Sequence, residues 1–251
     1  MGISLELLSC GSLSAATSFF EKGASEEVAL LPVPAWLIRH PKGLVLFDTG
    51  MPTDLLSDGP ALEFYSLFFE LGIGPDVMIE AQLNERQVDV ADIDVVVLSH
   101  LHFDHTGGLA QIPNARVLVQ EDDWKAGFDE ELSAAVTFRR EDFDLGHDVV
   151  QLSGEHDVFG DGSVMCLPTP GHTPGHQSLQ VKLASETVVL CADCAYFERT
   201  LSGGELPPIS FDEGQQQKSI ENLQALGAAG ARLIPGHDAK VLNALEKRIC
   251  V

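Results

Sequence analysis

Basic residues are scarce in this 251-residue sequence, in which 15 lysines and arginines stand against 38 aspartates and glutamates. The formal net charge is −23 at pH 7. A surface of that charge repels phosphate backbones, so we expect no nucleic-acid partner. Anionic substrates are disfavoured for the same reason, unless the site itself carries positive charge. A small neutral molecule is the ligand that this charge balance favours.

Long apolar segments are also missing. No run approaches the roughly 20 apolar residues of a membrane-spanning helix. Residues 1–15 lack both the basic stretch and the long apolar core of a secretion signal. We therefore expect a cytoplasmic protein with no membrane partner. The chain shows no linker or low-complexity tract and is long enough to bury a core without covalent staples, which predicts one domain over residues 1–251.

Cysteines are few and odd in number: Cys10, Cys166, Cys191, Cys194 and Cys250. Cys191 and Cys194 form a C-x-x-C pair, a spacing that redox and zinc sites use. There is no second such pair, so a four-cysteine zinc site built from paired motifs is excluded. We favour small apolar side chains in a reducing compartment. A redox or metal-sensor role for Cys191 and Cys194 is the alternative.

Short apolar and β-branched runs alternate with helical patterns along the chain. The runs predict strands at 3–9, 35–40, 44–50, 94–98, 116–120, 148–152, 163–167, 177–183, 187–193 and 231–237. Helices are predicted at 80–87, 107–111, 121–128, 212–229 and 238–249. Hairpin turns are expected at 41–43 and 184–186, and residues 51–80 would form an aromatic-rich helix or lid. The order of elements predicts an α/β fold, an αββα sandwich in which two β-sheets pack face to face with helices outside.

The stretch SHLHFDHTGG (99–108) follows the apolar strand at 94–98 and carries four potential metal ligands in six positions. Side chains alternate along an extended segment, so His100, His102 and Asp104 should face one side and His105 the other. Such a segment could serve two metal ions, one on each side. Imidazole and carboxylate are groups that zinc prefers.

Further ligands must come from elsewhere, because one cluster cannot complete two coordination spheres. His172, Asp193 and His237 each follow an apolar strand, in the same relative position as the first cluster. Loops at strand ends are where functional groups gather. The candidate ligands are therefore His100, His102, Asp104, His105, His172, Asp193 and His237.

A single histidine at a strand end is more often a hydrogen-bonded structural residue than a ligand. We expect His40, His147 and His156, which lie in polar loops or at strand ends, to be solvated. His176 is either a group that orients a ligand or a turn residue.

Five segments occur in a fixed order that resembles the metallo-β-lactamase superfamily: FDTG (47–50), SHLHFDHTGG (99–108), TPGHTPGH (169–176), CAD (191–193) and PGHD (235–238). The resemblance covers nearly the whole chain and implies a site for two divalent metal ions. In the family, the first metal is bound by the residues that match His100, His102 and His172. The second is bound by those that match Asp104, His105 and His237. Asp193 would bridge the ions, and Asp48 would be a structural acid beneath them.

Phe103, the segment GHTPGHQSL (171–179) and the pair Asp193 and Tyr196 resemble one branch, the N-acyl homoserine lactone lactonases. The implied function is opening of the lactone ring, and hence quorum quenching, through attack by a hydroxide that bridges the metals. Tyr196 would hydrogen-bond the lactone carbonyl, and Asp104 would carry a proton to the leaving alkoxide. Zinc is the expected metal, although iron, cobalt and manganese bind similar ligands. Hydrolysis of another lactone, of the butyrolactone or pyridoxolactone type, or of a thioester is the alternative.

Four aromatic residues of the segment 51–80 recur at helical spacing: Phe64, Tyr65, Phe68 and Phe69. One face of this segment is therefore apolar. It could pack in the core, form the wall of an acyl pocket, or make the contact of a homodimer. The sequence leaves these three interpretations open.

Overall fold

The computed structural model describes residues 2–245. Cys250 and the end of the helix predicted at 238–249 lie outside this range. The larger sheet has seven strands in the order β4-β1-β2-β3-β5-β6-β7. Their bounds are β1 Ser4–Ala16, β2 Val28–His40, β3 Gly43–Phe47, β4 Glu70–Gly72, β5 Val95–Val97, β6 Arg116–Gln120 and β7 Val149–Leu152.

The smaller sheet has five strands in the order β12-β11-β10-β9-β8. Their bounds are β8 His156–Asp157, β9 Val164–Pro168, β10 Gln177–Lys182, β11 Thr187–Ala192 and β12 Arg232–Pro235. The helices are α1 Pro60–Tyr65, α2 Ile79–Glu85, α3 Phe103–Thr106, α4 Glu121–Phe128, α5 Glu130–Ala135, α6 Glu198–Leu201, α7 Glu213–Ala228 and α8 Ala239–Leu245. None of these described helices combines the length and the apolar character needed to cross a bilayer.

Alternation along the strands produces the layers. In β3, Val45 and Phe47 face the smaller sheet and pack with its residues, such as Leu179. Leu46 faces the opposite way and packs in the core that contains Leu83 of α2. On the far side of the smaller sheet, strand and helix residues form a third cluster that includes Val189, Cys191, Ile220 and Leu223. The predicted αββα sandwich is therefore confirmed.

Strand direction gathers the loops that carry the candidate ligands. β3 pairs parallel with β5, and β5 with β6, in the larger sheet. β11 pairs parallel with β12 in the smaller sheet. The carboxyl ends of β3, β5, β11 and β12 lead into the loops at Asp48, His100, Asp193 and His237. Ligands in open α/β sheets bind at such carboxyl ends.

Several elements differ from the sequence predictions, and α5, α6 and β8 were not predicted. β1 continues to Ala16 and β2 begins at Val28, because these strands pair over nearly their whole length around an irregularity between Ser9 and Ser12. The first half of β2 was not predicted because it contains Pro32 and Pro34, and proline within a run argues against a strand. Within the segment 51–80, the predicted aromatic-rich helix corresponds to α1. Residues 70–72 instead form an edge strand, β4, that pairs with β1.

Candidate metal centre

The chain after β5 is extended only as far as His102, whereas side chains that alternate from His100 to His105 would require an extended backbone over all six residues. His102 is still extended, with φ −71° and ψ 154°, but α3 begins at the next residue, Phe103. Asp104 and His105 therefore stand on a helical turn. The prediction that Asp104 faces the same side as His100 and His102 is wrong, since Asp104 instead groups with His105 and His237.

The first group of potential ligand atoms belongs to His100, His102, His172 and Asp193. Nδ1 of His102 lies 2.8 Å from Nε2 of His100 and 3.2 Å from Nε2 of His172. Oδ2 of Asp193 lies 3.8 Å from Nε2 of His100 and 3.5 Å from Nε2 of His172. Four donor atoms thus converge on one point.

The second group belongs to Asp104, His105 and His237. Oδ2 of Asp104 lies 3.6 Å from Nε2 of His105 and 4.0 Å from Nε2 of His237. Both imidazoles also approach the other oxygen of Asp193, because its Oδ1 lies 3.3 Å from Nε2 of His105 and 2.9 Å from Nε2 of His237. Asp193 therefore turns one carboxylate oxygen towards each group.

Three of the histidines have one ring nitrogen that points outward, away from the other donor atoms, and lies close to a backbone carbonyl oxygen. This contact sets the tautomer of each ring. Nε2 of His102 lies 2.7 Å from the carbonyl oxygen of Val136. Nδ1 of His172 lies 3.3 Å from that of Ile209, and Nδ1 of His237 lies 2.8 Å from that of Pro32. A carbonyl oxygen only accepts, so in a neutral ring the outward nitrogen donates and the inward nitrogen presents a lone pair.

Hydrogen bonds that involve Asp48 and Ser99 position the rings of His105 and His100. Nδ1 of His105 donates to Oδ2 of Asp48 over 2.9 Å. The other oxygen of Asp48 accepts the backbone N–H of Ser99 over 2.7 Å, and the Ser99 hydroxyl lies 2.9 Å from Nδ1 of His100. Asp48 adopts φ 61°, and Ala192, beside Asp193, adopts φ 45°. Such left-handed conformations in non-glycine residues concentrate at functional sites.

These residues fit a pair of cations. The outward N–H groups of His102 and His172 leave two lone pairs that face one another across 3.2 Å, and these repel unless a positive charge lies between them. Nε2 of His105 and Oδ1 of Asp193 are buried with no hydrogen-bond partner among the described residues. An imidazole and carboxylate donor set of this kind suits a divalent transition metal.

The electrostatics divide the histidines into two sets. Burial, together with the neighbouring imidazoles, holds the pKa values of His100 and His172 well below their usual value. Burial also lowers the pKa of His105, but the carboxylates of Asp193, Asp104 and Asp48 outweigh it and hold that pKa well above its usual value. Burial opposes ionisation of Asp193, yet the positive charges of His237 and His105 leave its pKa well below the usual range.

A cavity of about 240 Å³ opens above the two groups. Its floor includes His102, Asp104, Asp193 and His237, and its walls are mainly aromatic and aliphatic. Tyr196 lies at the floor, with its ring centroid 5.7 Å from that of His172 and 5.4 Å from that of His237. The centre is therefore reached through an apolar pocket.

The aromatic segment contributes to this pocket. Phe64, Tyr65, Phe68 and Phe69 all line it. Tyr65 is 6% exposed, whereas Phe64 and Phe68 remain 48% and 46% exposed. Of the three interpretations, a pocket wall describes all four residues, and core packing describes only Tyr65 and the half-buried Phe69.

The remaining histidines differ partly from expectation. The side chain of His40 is only 4% exposed and stacks on Phe159 with ring centroids 3.9 Å apart, so the prediction that it is solvated is wrong. His147 and His156 are half-buried. His176 is fully buried and bonds Thr169. Its ring lies 5.3 Å from that of His100, so it packs directly behind a candidate ligand.

Two buried side chains that the sequence analysis missed hold the ligand loops. Asp123 of α4 accepts the N–H of Gly175, at 2.5 Å, and the hydroxyl of Thr173, at 2.8 Å. Gln216 of α7 donates from Nε2 to the carbonyl oxygens of Asp193 and Cys194. No motif marks either residue. A polar side chain on the inner face of a helix was the only available signal.

The described cysteines are free and buried. Burial raises the pKa of Cys191 to about 12 and that of Cys194 well above its usual value. Neither belongs to a group of potential metal ligands within residues 2–245. These surroundings favour packing over thiolate chemistry.

Comparison with known proteins places this centre in a family. Residues 28–237 match the model of the metallo-beta-lactamase superfamily. The chain belongs to that superfamily. AttM of Azorhizobium caulinodans, an N-acyl homoserine lactonase, is 32% identical over 241 residues, covering 90% of this chain and 88% of AttM. AiiA of Bacillus thuringiensis subsp. kurstaki, also an N-acyl homoserine lactonase, is 30% identical over 201 residues, or 77% of this chain and 76% of AiiA.

Solved structures agree with these relatives. An N-acyl homoserine lactone hydrolase with the product N-hexanoyl-L-homoserine bound at its catalytic metal centre superposes with a TM-score of 0.85 and 25% identity, and 97% of each chain is covered. The dizinc quorum-quenching lactonase AidC superposes with a TM-score of 0.69 and 17% identity, covering 94% of this chain and 88% of AidC. The latter likeness concerns the fold alone.

Proposed function

We propose that this chain is a metal-dependent hydrolase that opens the lactone ring of N-acyl homoserine lactones. The observation that carries the proposal is the carboxylate of Asp193, which faces a different histidine group with each oxygen at the floor of an apolar pocket. The relatives named as N-acyl homoserine lactonases support the choice of substrate.

We propose two sets of metal ligands. His100, His102 and His172 form the first, Asp104, His105 and His237 form the second, and Asp193 is shared. Divalent ions bound there would polarise the lactone carbonyl and activate water for attack on it. Zinc suits these ligands best, with iron, cobalt and manganese as alternatives.

The side chains around the floor have separate tasks in this proposal. Burial raises the pKa of the Tyr196 hydroxyl well above its usual value, so this group stays a donor at neutral pH. It would donate a hydrogen bond to the lactone carbonyl oxygen as charge develops there. Asp104 lines the cavity floor and would take a proton from the attacking water and pass it to the ring oxygen as it leaves. The aromatic walls would exclude bulk water and bind the acyl chain.

A substrate panel tests the proposal. Metal-loaded protein is assayed by proton release with homoserine lactones of short and long acyl chains, a plain butyrolactone, a thioester and a cephalosporin. Preferred turnover of the acylated lactones, abolished by a chelator, is the expected result. Turnover of the thioester or the cephalosporin alone would leave the metal centre standing and refute the substrate.

A cytoplasmic location, one domain over residues 1–251 and a homodimer stay predictions. The strongly exposed Leu67, beside Phe64 and Phe68 at the rim of the pocket, offers apolar surface for a second copy.

A further inference from the structure

Two contacts outside the donor cluster hold the ring of His102, and both come from the segment 136–138. Nε2 of His102 donates to the carbonyl oxygen of Val136 over 2.7 Å. The ring also meets that of Phe138 edge to face, with centroids 5.5 Å apart and an interplanar angle of 70°. The direction in which His102 presents its other nitrogen therefore depends on the backbone of this segment.

This segment is the turn that ends α5. The N–H of Phe138 donates to the carbonyl oxygen of Ser133 over 3.0 Å. The N–H of Thr137 donates to that of Ala134 over 3.4 Å, and the two bonds together form a Schellman cap. Thr137 stands where such a cap usually has glycine, and it adopts φ 58°. A left-handed conformation is rare for a β-branched residue and persists only where the surroundings impose it, so the turn needs support from outside α5.

Arg139, the next residue, provides that support. Its Nε donates to Oδ2 of Asp142 over 2.8 Å, and its Nη2 donates to the other oxygen of the same buried carboxylate. Its Nη1 donates to Oδ2 of Asp54 over 2.8 Å. Asp54 belongs to the turn Thr53–Leu56, which follows Asp48 in the chain. One guanidinium thus joins the end of α5 to a distant part of the chain that also supports the metal centre.

Apolar packing alone does not set the direction of the Val136 carbonyl. Val136 and Phe138 are buried in the core that contains Leu83, but burial of apolar surface is not directional. A bidentate pair between a guanidinium and a carboxylate is directional, because two parallel hydrogen bonds fix the angle between the groups. Of the contacts from outside α5, the ion pairs of Arg139 are therefore the ones that orient the turn.

We propose that Arg139 is a positioning residue for the metal centre. Its ion pairs keep the Val136 carbonyl on Nε2 of His102, so that Nδ1 presents its lone pair to the metal. The inference rests on the ligand set of the proposed function and adds a residue outside that set. Groups that orient a ligand in this way change metal affinity about 10- to 100-fold when they are lost.

Arg139→Gln tests the inference. Dissociation constants for the two zinc equivalents are measured by competition with a chelator, and solvent exchange of the His102 imidazole N–H is followed by NMR of the zinc-loaded, isotope-labelled protein. We expect one equivalent to bind about tenfold more weakly, because the Val136 carbonyl is displaced and not removed. The other equivalent should keep its affinity, and the N–H of His102 should exchange faster. Loss of a residue that only stabilises the fold would leave this N–H protected.

Arg140→Gln is the matched control. It removes the same charge from the neighbouring position, where Arg140 is exposed and pairs with Asp144, and both zinc affinities should stay unchanged. Arg139→Gln leaves Asp142 buried without its partner and can destabilise the protein. Asp54→Ala is therefore the second variant, since it removes only the exposed partner of Arg139. It should weaken one zinc equivalent in the same way but by a smaller factor.

Unchanged zinc affinities and N–H exchange in Arg139→Gln overturn the inference, as they do in Asp54→Ala where Arg139→Gln does not fold. So does an equal loss of both equivalents with the His102 N–H still protected, because Arg139 would then act on the fold alone. A protein that binds zinc and opens no lactone refutes the proposed substrate and leaves this inference standing. An unmodified protein that binds no zinc overturns the proposed ligands and this inference together.

Discussion

At the scale of single residues, Asp193 is the side chain that connects the two groups of candidate ligands. It is 3% exposed, lies directly after β11, and presents its oxygens to two separate histidine groups. Gly236 packs against it, and a Cβ at that position would lie 3.0 Å from its Oδ1. The Asp193 side chain is thus positioned by its own backbone at the end of β11 and by Gly236 at the end of β12.

Asp193→Asn should weaken binding of at least one metal and lower lactone turnover by about 100-fold or more. The amide keeps one oxygen but replaces the other with an N–H donor, which cannot face a cation. Metal content per chain, measured beside activity, checks this. A variant with the full metal content and undiminished turnover would rule out a bridging role.

Tyr196→Phe should retain both metals and lose about tenfold to a hundredfold in kcat, because the hydroxyl acts on charge that develops in the transition state. The ring contacts with His172 and His237 remain in the variant. Steady-state kinetics on N-hexanoyl homoserine lactone provide the measurement. Unchanged turnover would remove Tyr196 from the mechanism.

At the scale of elements, the loop 169–176 depends on α4. The Asp123 carboxylate accepts two hydrogen bonds from this loop, and Gly175 lies so close to the helix that a Cβ would stand 2.4 Å from the backbone nitrogen of Asp123. The contact anchors the loop that carries His172. Burial raises the pKa of Asp123 to about 7.

The raised pKa has a consequence for stability. Between its usual pKa of about 4 and the folded value of about 7, Asp123 keeps a proton in the folded state that it loses on unfolding. The free energy of unfolding should therefore fall as pH rises through this range. Asp123→Asn, which binds no proton, should lack this component.

Denaturant unfolding of chelated protein at several pH values measures the effect. The advantage of the unmodified protein over Asp123→Asn is expected to be largest near pH 4 and smallest above pH 7. Glu130→Gln, at an exposed position of α5 that does not act on Asp123, serves as the control and should follow the unmodified protein. Parallel curves for all three proteins would contradict the assignment.

Helices and strands that depend on a local sequence pattern were predicted better than those that depend on pairing with a distant strand. β6 and α4 begin and end where they were predicted, because the apolar run of β6 gives way at Glu121 to an acidic first helical turn. β4 escaped detection because pairing with the distant β1 creates it. The alternation of side chains along an extended segment does not show where α3 begins. Because the helix starts at Phe103, the prediction placed Asp104 on the wrong side.

At the scale of the whole molecule, the sequence predicts the candidate ligands that the fold brings together, but not the groups that orient them. All seven candidate ligands were predicted, since each follows an apolar strand and the fold brings the strand ends together. The groups that orient their outward nitrogens include the backbone carbonyls of Val136, Ile209 and Pro32. No side-chain pattern identifies a carbonyl group, so these supports appear only in three dimensions.

The net charge of −23 also acts at this scale. An N-acyl homoserine lactone is neutral, whereas its ring-opened product is a carboxylate. An acidic surface does not oppose entry of the neutral substrate, and it disfavours return of the anionic product. The charge balance that disfavours a nucleic-acid partner thus agrees with the proposed reaction.

The most direct test of the central claim is a titration of metal-free protein with zinc, in which the rate of N-hexanoyl homoserine lactone hydrolysis is followed by proton release at each addition. We predict no turnover without metal and a rate that rises until two equivalents are bound per chain. Full turnover by the metal-free protein, or none at two bound equivalents, would contradict the account of this chain as a dinuclear lactone hydrolase.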